Sequence, residues 1–229
     1  MDTDVISSSE LEQRNFITKV FGWMSAALVV TGLIAAYVAS QPNLVDIFIG
    51  NRFVFYALLI SELVLVGILA GLVKKMSASL ATIIFFAYAA LNGLTLSLIF
   101  LIFTIDSIAV TFFITAGIFG TMSIYGYLTN TDLTSIGNLC LMTLVGLILA
   151  SIVNMFFFNE MVYWITTYVG IIVFVGLIAY DTQKIKNCNI IGNEGTEEDT
   201  KESILGALEL YLDFINLFLY LLRIFGRRK

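Results

Sequence analysis

Seven apolar runs constrain the fold of this chain more than any other feature. Each run holds about 20 residues with few charges, and a helix rising about 1.5 Å per residue crosses the hydrocarbon core of a bilayer in that length. The runs occupy residues 20–40, 53–73, 80–103, 107–128, 136–157, 161–181 and 204–225. They predict an all-α integral membrane protein with seven transmembrane helices.

The composition supports this interpretation, because 59% of the 229 residues are hydrophobic, 13% are charged and one is proline. A water-soluble globule carries far more charge. The first run is too long for a signal peptide and six more follow, so we expect it to be a retained span. The sequence predicts a cytoplasmic tail at 1–19, one membrane domain at 20–226 with a polar loop at 182–202, and a basic tail at 227–229.

The distribution of basic residues predicts the orientation of the chain. Seven lysines and arginines fall on one side of the predicted spans, against Arg52 alone in the opposite loops. Cytoplasmic loops are enriched in such residues, so we expect the N-terminus in the cytoplasm. The seven are Arg14, Lys19, Lys74, Lys75, Lys184, Lys186 and Lys201. If the last run crosses the membrane completely, the basic tail at 227–229 lies on the opposite side, which the charge rule disfavours. The last run therefore either spans the membrane completely, which its length favours, or enters the membrane and returns to the same side.

Several kinds of chemistry lack their usual residues. The chain has no histidine, and its two cysteines, Cys140 and Cys188, lie far apart without a CxxC spacing. This pattern predicts neither a zinc site nor a disulfide framework. The acidic segment 194–202 lacks the alternating ligand positions of an EF-hand loop. We therefore predict a protein that is not an enzyme, with no cofactor and no nucleic-acid partner.

The last apolar run contains a polar stripe. Its members are spaced by four, three, four and three residues, which places them on one side of a helix. They are Glu209, Asp213, Asn216, Tyr220 and Arg223. A charge at the bilayer centre costs about 2.5–3.5 kcal/mol on insertion scales, so this stripe must face protein or water. The last helix is therefore predicted to lie inside the bundle.

Acidic residues in other runs are candidate partners for this stripe. Glu62 lies in the middle of the second run and is a candidate ion-pair partner for Arg223. Asp181 closes the sixth run, and it reaches Asp213 if the sixth helix continues past the membrane edge or water penetrates. Two carboxylates in a poorly hydrated site share one proton. Small residues four apart, such as Gly67 with Gly71 and Gly146 with Ala150, favour a compact bundle.

Four segments carry a resemblance to a known family. They are FGTMSIYGYLTNTDLTSIG at 119–137, GLILASIVNMFF at 146–157, VGIIVFVGLIAYDTQKIK at 169–186 and ALELYLDFINLFLYLLRIFG at 207–226. Together, over residues 14–228, they resemble the Bax inhibitor-one family, also called transmembrane Bax-inhibitor-motif proteins, in its bacterial form. The resemblance implies a central last helix surrounded by two three-helix layers.

The resemblance also implies a function and a set of site residues. It implies a pH-sensitive calcium leak channel in the bacterial cytoplasmic membrane, with Asp181 and Asp213 as pH sensor and gate. Glu62 and Arg223 match the family's glutamate and arginine, and Lys74 or Lys75 stands where relatives often have arginine. Glu209 is a further pore candidate, and Asp213 and Glu62 are the predicted oxygen ligands for passing calcium. The expected partners are lipid, calcium ions, protons and a membrane protein.

Two other functions stay open from the sequence. A regulator of other membrane proteins, acting with a membrane protease or a stress pathway, would need no transport activity. An intramembrane aspartyl protease would also pair two aspartates. Its GxGD and PAL motifs are absent, since Asp213 stands in LYLD.

Overall fold

The computed structural model describes residues 2–188 and 192–229, with side chains from residue 11 onward. The α-helices are α1 Asp2–Ala39, α2 Pro42–Val45, α3 Arg52–Leu72, α4 Ala78–Ile102, α5 Ile105–Leu128, α6 Thr134–Phe156, α7 Glu160–Cys188 and α8 Glu197–Phe225. A π-helical turn, Asp46–Gly50, follows α2, and a 3-10 turn, Val73–Lys75, follows α3. Within the described ranges β-pairing is limited to one isolated bridge between Phe103 and Arg228.

All of these helices except α2 are long and apolar enough to cross a membrane. The prediction of an all-α membrane protein with seven spans is therefore confirmed. In α8, 67% of the most apolar window is buried within the protein, against 6–39% in the other six spans. The helix that carries the polar stripe is thus the most buried span. Along the stripe itself Asp213 is buried, Glu209, Asn216 and Tyr220 are half-buried, and Arg223 is exposed.

The polar segment after the sixth span departs from its predicted structure. The predicted loop at 182–202 is largely helical, because α7 continues to Cys188 and α8 begins at Glu197. Thr182 and Ile185 are buried, so tertiary packing extends α7 beyond its apolar run. At the start of α8, the Thr196 hydroxyl oxygen accepts a hydrogen bond of 3.2 Å from the Asp199 amide, which is an N-terminal cap.

The predicted N-terminal tail is also helical. Helix α1 begins at Asp2 instead of residue 20. Phe16 and Ile17 are only 5% and 7% exposed. Because this part of the chain buries apolar side chains, it belongs to the packed structure instead of being a solvated tail.

The chain divides into two compact units. Unit 1 comprises Met1–Thr104, Cys188–Tyr211 and Arg228–Lys229, and unit 2 comprises Ile105–Asn187 and Leu212–Arg227. Each unit thus groups three spans with one part of α8, which agrees with the predicted two sets of three helices and a shared last helix. That the whole of 20–226 acts as one domain stays a prediction.

In unit 1, α1 packs along α4. A Cβ atom added to Gly93 would lie 2.8 Å from the Thr31 carbonyl oxygen, so the two helix backbones approach closely there.

The last residue of the chain also contacts α4. The Lys229 amide donates a 2.9 Å hydrogen bond to the carbonyl oxygen of Ile102, where α4 ends.

The start of α8 and the chain terminus both contact α4. Its first residue, Glu197, accepts a 2.7 Å hydrogen bond from the amide of Ala78, where α4 begins. The chain leaves α8 to reach Lys229 at the other end of α4. The last apolar run lies within one continuous helix of 29 residues, so it does not reverse direction. The alternative in which the last run enters the membrane and returns is therefore wrong.

Candidate functional site

Asp213 lies in the interior of unit 2, on the part of α8 that this unit contains. It follows the start of α8 by 16 residues, or about 24 Å of helix, which places it near the middle of the span. Asp213 is only 5% exposed, and its neighbour Phe214 packs edge-on against the rings of Phe112 and Phe119 at 5.4 and 5.5 Å. The structure therefore buries an acidic residue near the middle of a membrane-spanning helix.

Asp181 lies on α7 in the same unit and is half-buried. Asp181 and Asp213 both lie in the neighbourhood of the thiol of Cys140, a buried residue of α6. Helices α6, α7 and α8 thus each contribute one polar group to the same region. That the two carboxyl groups share a proton stays a prediction.

Close helix contacts hold α7 in place around Asp181. A Cβ atom on Gly126 of α5 would collide with the backbone of Ala179, and one on Gly137 of α6 would collide with the ring of Tyr180. On α7 itself, a Cβ on Gly176 would lie 2.7 Å from the Cys140 sulfur. The two residues before Asp181 are thus packed directly on neighbouring helices.

Polar contacts fix the end of α7 that follows Asp181. The Gln183 side chain accepts a 2.9 Å hydrogen bond from the Leu133 amide and donates one of 2.8 Å to the Thr131 carbonyl oxygen. Lys186 donates to the Tyr127 carbonyl oxygen at 2.8 Å, and its ammonium lies 4.9 Å from the centre of the Tyr127 ring. These contacts explain why α7 stays helical past its apolar run.

Glu62, the other predicted acidic site residue, belongs to unit 1. It is half-buried on α3 and accepts a hydrogen bond from the Thr95 hydroxyl of α4. The phenol groups of Tyr88 and Tyr211 lie in its neighbourhood. Glu62 is thus part of a polar cluster within unit 1.

Arg223 belongs to unit 2 and lies on the last turn of α8. Its guanidinium carbon lies 5.2 Å from the centre of the Tyr163 ring and 4.8 Å from that of Tyr220, which is cation–π geometry. One guanidinium nitrogen is 3.5 Å from the Thr167 hydroxyl oxygen. Glu62 and Arg223 therefore have contacts in separate units, and their ion pair stays a prediction.

The remaining residues singled out in the sequence lie in the turn after α3 and along the polar stripe of α8. Lys74 is exposed in the 3-10 turn after α3, and Glu209 is half-buried on α8. The Asn216 side chain donates to the Leu212 carbonyl oxygen of its own helix at 2.8 Å. Tyr220 packs on Gly170, where a Cβ atom would lie 2.6 Å from the ring. The described residues contain no group of three or more histidine, cysteine or acidic side chains arranged to hold a metal ion.

An ion pair in unit 1 was not predicted from the sequence. Lys19 of α1 lies 2.7 Å from the carboxylate of Asp199, which is 3% exposed and also accepts a 3.0 Å hydrogen bond from the Gly195 amide. These residues border a cavity of about 260 Å³ at the start of α8. The T-E-E-D sequence at 196–199 is a capping pattern that marks this helix start, but nothing in the sequence connects it to Lys19.

These features define a class of protein: a multi-pass α-helical membrane protein with a buried acidic residue on its most buried helix. Comparison with known sequences identifies the class further. The family model described as "Inhibitor of apoptosis-promoting Bax1" matches residues 13–229. The chain belongs to this family, which confirms the resemblance seen in its sequence.

Individual relatives cover almost the whole chain. The inner membrane protein YbhL of Escherichia coli K12 is 47% identical over 228 residues, which is 99% of this chain and 97% of that protein. An uncharacterized protein of Borreliella burgdorferi is 42% identical over 219 residues, covering 96% and 94% of the two chains. Protein RP147 of Rickettsia prowazekii, also uncharacterized, is 43% identical over 221 residues, covering 94% and 91%.

Proposed function

We propose that this protein is a pH-sensitive calcium leak channel of a bacterial cytoplasmic membrane, gated by Asp181 and Asp213. One observation supports the proposal most directly: Asp213 is 5% exposed in the middle of α8, and Asp213 and Asp181 both lie near the same thiol, Cys140. Acidic residues buried at membrane depth are costly and mark functional sites. The inner-membrane relative in Escherichia coli supports the location.

The gating step follows from the electrostatics of two neighbouring carboxyl groups. When they share one proton, a hydrogen bond holds α7 and α8 together and only one negative charge is present. Removal of that proton leaves two negative charges in a site of low polarity, and their repulsion separates the helices. We therefore expect the closed state at low pH and a hydrated route at higher pH.

Calcium is the transported ion in this proposal and not a resident cofactor. It prefers oxygen ligands, which carboxylates supply. Asp213 and Glu62 are the acidic groups that we assign to the route, with Glu209 at its entrance from the side where α8 begins. Lys74 and Arg223 are the basic groups that we expect to pair with acids in the closed state.

Calcium flux into liposomes containing purified protein, measured across pH, tests the proposal. Asp181→Asn and Asp213→Asn each remove one titrating group, so we expect both the rate and its pH dependence to change. Asp106→Asn is a matched control, because Asp106 is exposed in the first turn of α5. Flux that is the same in all four proteins at every pH would exclude gating by this pair.

A second function, regulation of other membrane proteins, is favoured by the exposed glycines. A Cβ atom on Gly67, Gly71 or Gly146 would meet nothing within 4 Å, so these small residues leave open faces on α3 and α6. Such faces allow another transmembrane helix to approach closely. A stable membrane protein partner, for example a membrane protease, combined with absence of calcium flux in liposomes would favour this function.

A further inference from the structure

Ser123 on α5 has a buried hydroxyl group that makes no hydrogen bond within the described part of the chain. The residue is 4% exposed, and its oxygen atom has no donor or acceptor in hydrogen-bonding geometry among the described residues. Three other hydroxyl groups of α5, those of Thr111, Thr115 and Thr121, each donate to the carbonyl oxygen four residues before, at 2.7–2.8 Å. Ser123 thus lacks the bond to its own helix that a helical serine commonly makes.

A buried hydroxyl group without a partner lowers the stability of the folded chain, because it has lost its hydrogen bonds to water. Such groups are rare in folded proteins, and each one requires an explanation. Alanine at position 123 would fit the same space without this cost. The chain therefore keeps a hydroxyl group for which the described residues offer no acceptor in this conformation.

The contacts of α5 on either side of Ser123 show which helices it faces. Four residues before it, Phe119 packs edge-on against Phe214 of α8, with 5.5 Å between the ring centres. Three residues after it, Gly126 packs directly on the backbone of Ala179 of α7. Residues three and four apart share one face of a helix, so Ser123 faces the region between α7 and α8 within unit 2.

The depth of Ser123 follows from the same contacts. Helices α5 and α7 run in the same direction, because one span, α6, lies between them in the chain. Three residues before the contact of Gly126 with Ala179, Ser123 therefore lies at the level of Gly176. A Cβ atom on Gly176 would lie 2.7 Å from the Cys140 sulfur. Ser123 is thus the polar group that α5 contributes at the depth of this thiol.

The titratable groups of this region belong to α6, α7 and α8. They are Cys140, Tyr180, Asp181 and Asp213, with Lys184 and Lys186 three and five residues beyond Asp181 on α7. Both aspartates lie in the neighbourhood of the Cys140 thiol. Lys186 donates its 2.8 Å hydrogen bond to a carbonyl oxygen in the last turn of α5. The Ser123 hydroxyl therefore lies in the region where the proposed gate changes its charge.

We propose that Ser123 is the hydrogen-bond donor that stabilises the deprotonated gate. When the aspartate pair releases its shared proton to water and the helices separate, the Ser123 hydroxyl donates to one of the two carboxylates. A carboxylate has room for about four hydrogen bonds, so this bond can form beside others. The proposal rests on the proposed function, because it takes Asp181 and Asp213 as the gating pair.

The expected consequence is a shift in the pH at which the gate opens. A donor that bonds only the charged form favours deprotonation, so the gate should open at a lower pH with the hydroxyl than without it. Ser123→Ala should therefore raise the midpoint by about one pH unit, the shift that corresponds to loss of one hydrogen bond to a charged group. Ser123→Thr keeps the hydroxyl and should retain the midpoint of the parent protein.

Infrared spectroscopy of the purified protein measures this midpoint without any ion flux. A protonated carboxyl group absorbs apart from a carboxylate, and the part of the band that Asp213→Asn removes belongs to the pair. Thr115→Val is a matched control, because it removes a buried hydroxyl of the same helix whose hydrogen bond goes to the Thr111 carbonyl oxygen. Its midpoint should equal that of the parent.

The unfolding temperature at low pH separates this role from a structural one. Ser123→Ala removes a group that is unsatisfied in the closed state, so it should unfold at the same temperature as the parent or at a higher one. A lower unfolding temperature would show that the hydroxyl already has a partner in the closed state, and would overturn the proposal. An unchanged midpoint in Ser123→Ala, an equal shift in Thr115→Val, or the absence of any band that Asp213→Asn removes would overturn it as well.

Calcium flux from liposomes, measured across pH, separates this inference from the proposed function. Shifts of the flux and of the carboxyl band by the same amount in Ser123→Ala support both. If no protein in the series conducts calcium, the leak channel is excluded, and the carboxyl titration still decides whether Ser123 stabilises the deprotonated pair. If flux depends on pH but Ser123→Ala leaves both midpoints unchanged, the channel stands and the role of Ser123 is wrong.

Discussion

Lys19 and Asp199 form an ion pair with a distance of 2.7 Å between the ammonium nitrogen and one carboxylate oxygen. The pair joins α1 to the first turn of α8, although the residues are 180 positions apart. The Asp199 side chain is 4% exposed, whereas that of Lys19 is 35% exposed. Because of this difference in exposure, removing Lys19 and removing the Asp199 charge should lower the free energy of unfolding by different amounts.

Lys19→Met is expected to destabilise the protein more than Asp199→Asn. Without Lys19, a buried carboxylate retains mainly the hydrogen bond from the Gly195 amide, and we expect a loss of about 2–3 kcal/mol. Without the Asp199 charge, Lys19 can turn to water, so the expected loss is about 1 kcal/mol. Free energies of unfolding in mixed detergent would measure both.

The pair between Lys201 and Glu198 is the internal control for this comparison. Its distance is 3.5 Å and the Glu198 side chain is 66% exposed, so Glu198→Gln should change the stability by less than about 0.5 kcal/mol. Equal losses for Lys19→Met and Glu198→Gln would contradict the role assigned to the buried pair.

Close helix contacts give a second prediction, for two glycines of the same helix. A Cβ atom on Gly126 would collide with the Ala179 backbone, which cannot move aside like a flexible side chain, whereas one on Gly120 would meet nothing within 4 Å. Gly126→Ala should therefore destabilise the protein by about 1–3 kcal/mol. Gly120→Ala should be neutral or stabilising by up to about 1 kcal/mol, because alanine favours the helix. Thermal unfolding in detergent distinguishes them, and similar transitions would argue against close α5–α7 packing.

The sequence predicted the spans and the buried last helix because both follow from local patterns. Hydrocarbon thickness sets the length of an apolar run, and the spacing of Asp213 and its neighbours in the stripe shows which helix must avoid lipid. The predicted end of α7 was too early. Gln183 and Lys186 read as solvent-exposed in the sequence, whereas in the structure they bond Thr131 after α5 and Tyr127 in its last turn.

Local sequence patterns did not predict the contacts between residues that are far apart in the sequence. The spacing of Gly67 and Gly71 favoured a compact bundle without naming a contact, and a Cβ on either would meet nothing within 4 Å. Gly126 and Gly137, which do make close contacts, have no distinguishing spacing. Lys19 and Asp199 could not be paired either, because each reads as an ordinary charge near a helix end.

Asp132, in the connection between α5 and α6, gives a pH-dependent prediction. Hydrogen bonds from the Thr134 side chain and its amide, the latter 2.9 Å long, lower the pKa of the Asp132 carboxyl group. A lowered pKa in the folded state means that this carboxylate stabilises the fold above its usual pKa, and that the contribution is lost as the pH falls through the lowered value.

The difference in unfolding temperature between wild type and Asp132→Ala should therefore be present at neutral pH and disappear in acid. Asp132→Asn keeps an acceptor oxygen without a titrating group, so its difference from Asp132→Ala should not vary with pH. A wild-type advantage that persists unchanged below the usual pKa of aspartate would contradict this account.

Glu62 and Thr95 give a final prediction, for a polar contact within the membrane. The Thr95 hydroxyl of α4 donates a hydrogen bond to the half-buried carboxyl group of Glu62 on α3. Thr95→Val keeps the shape of the side chain but removes the donor, so the Glu62 oxygen loses this hydrogen bond. Glu62→Gln keeps an acceptor oxygen and should retain the contact, whereas Glu62→Met removes it.

A double-mutant cycle of Glu62→Met with Thr95→Val, unfolded by detergent titration, measures the strength of this contact. We expect a coupling free energy of about 0.6–1.7 kcal/mol, the range of such bonds in membranes. Because Glu62→Gln retains the acceptor, Thr95→Val should lower the free energy of unfolding by similar amounts in the wild-type protein and in the Glu62→Gln variant. Strict additivity in the cycle with methionine would show that Thr95 contributes nothing to holding Glu62 between α3 and α4.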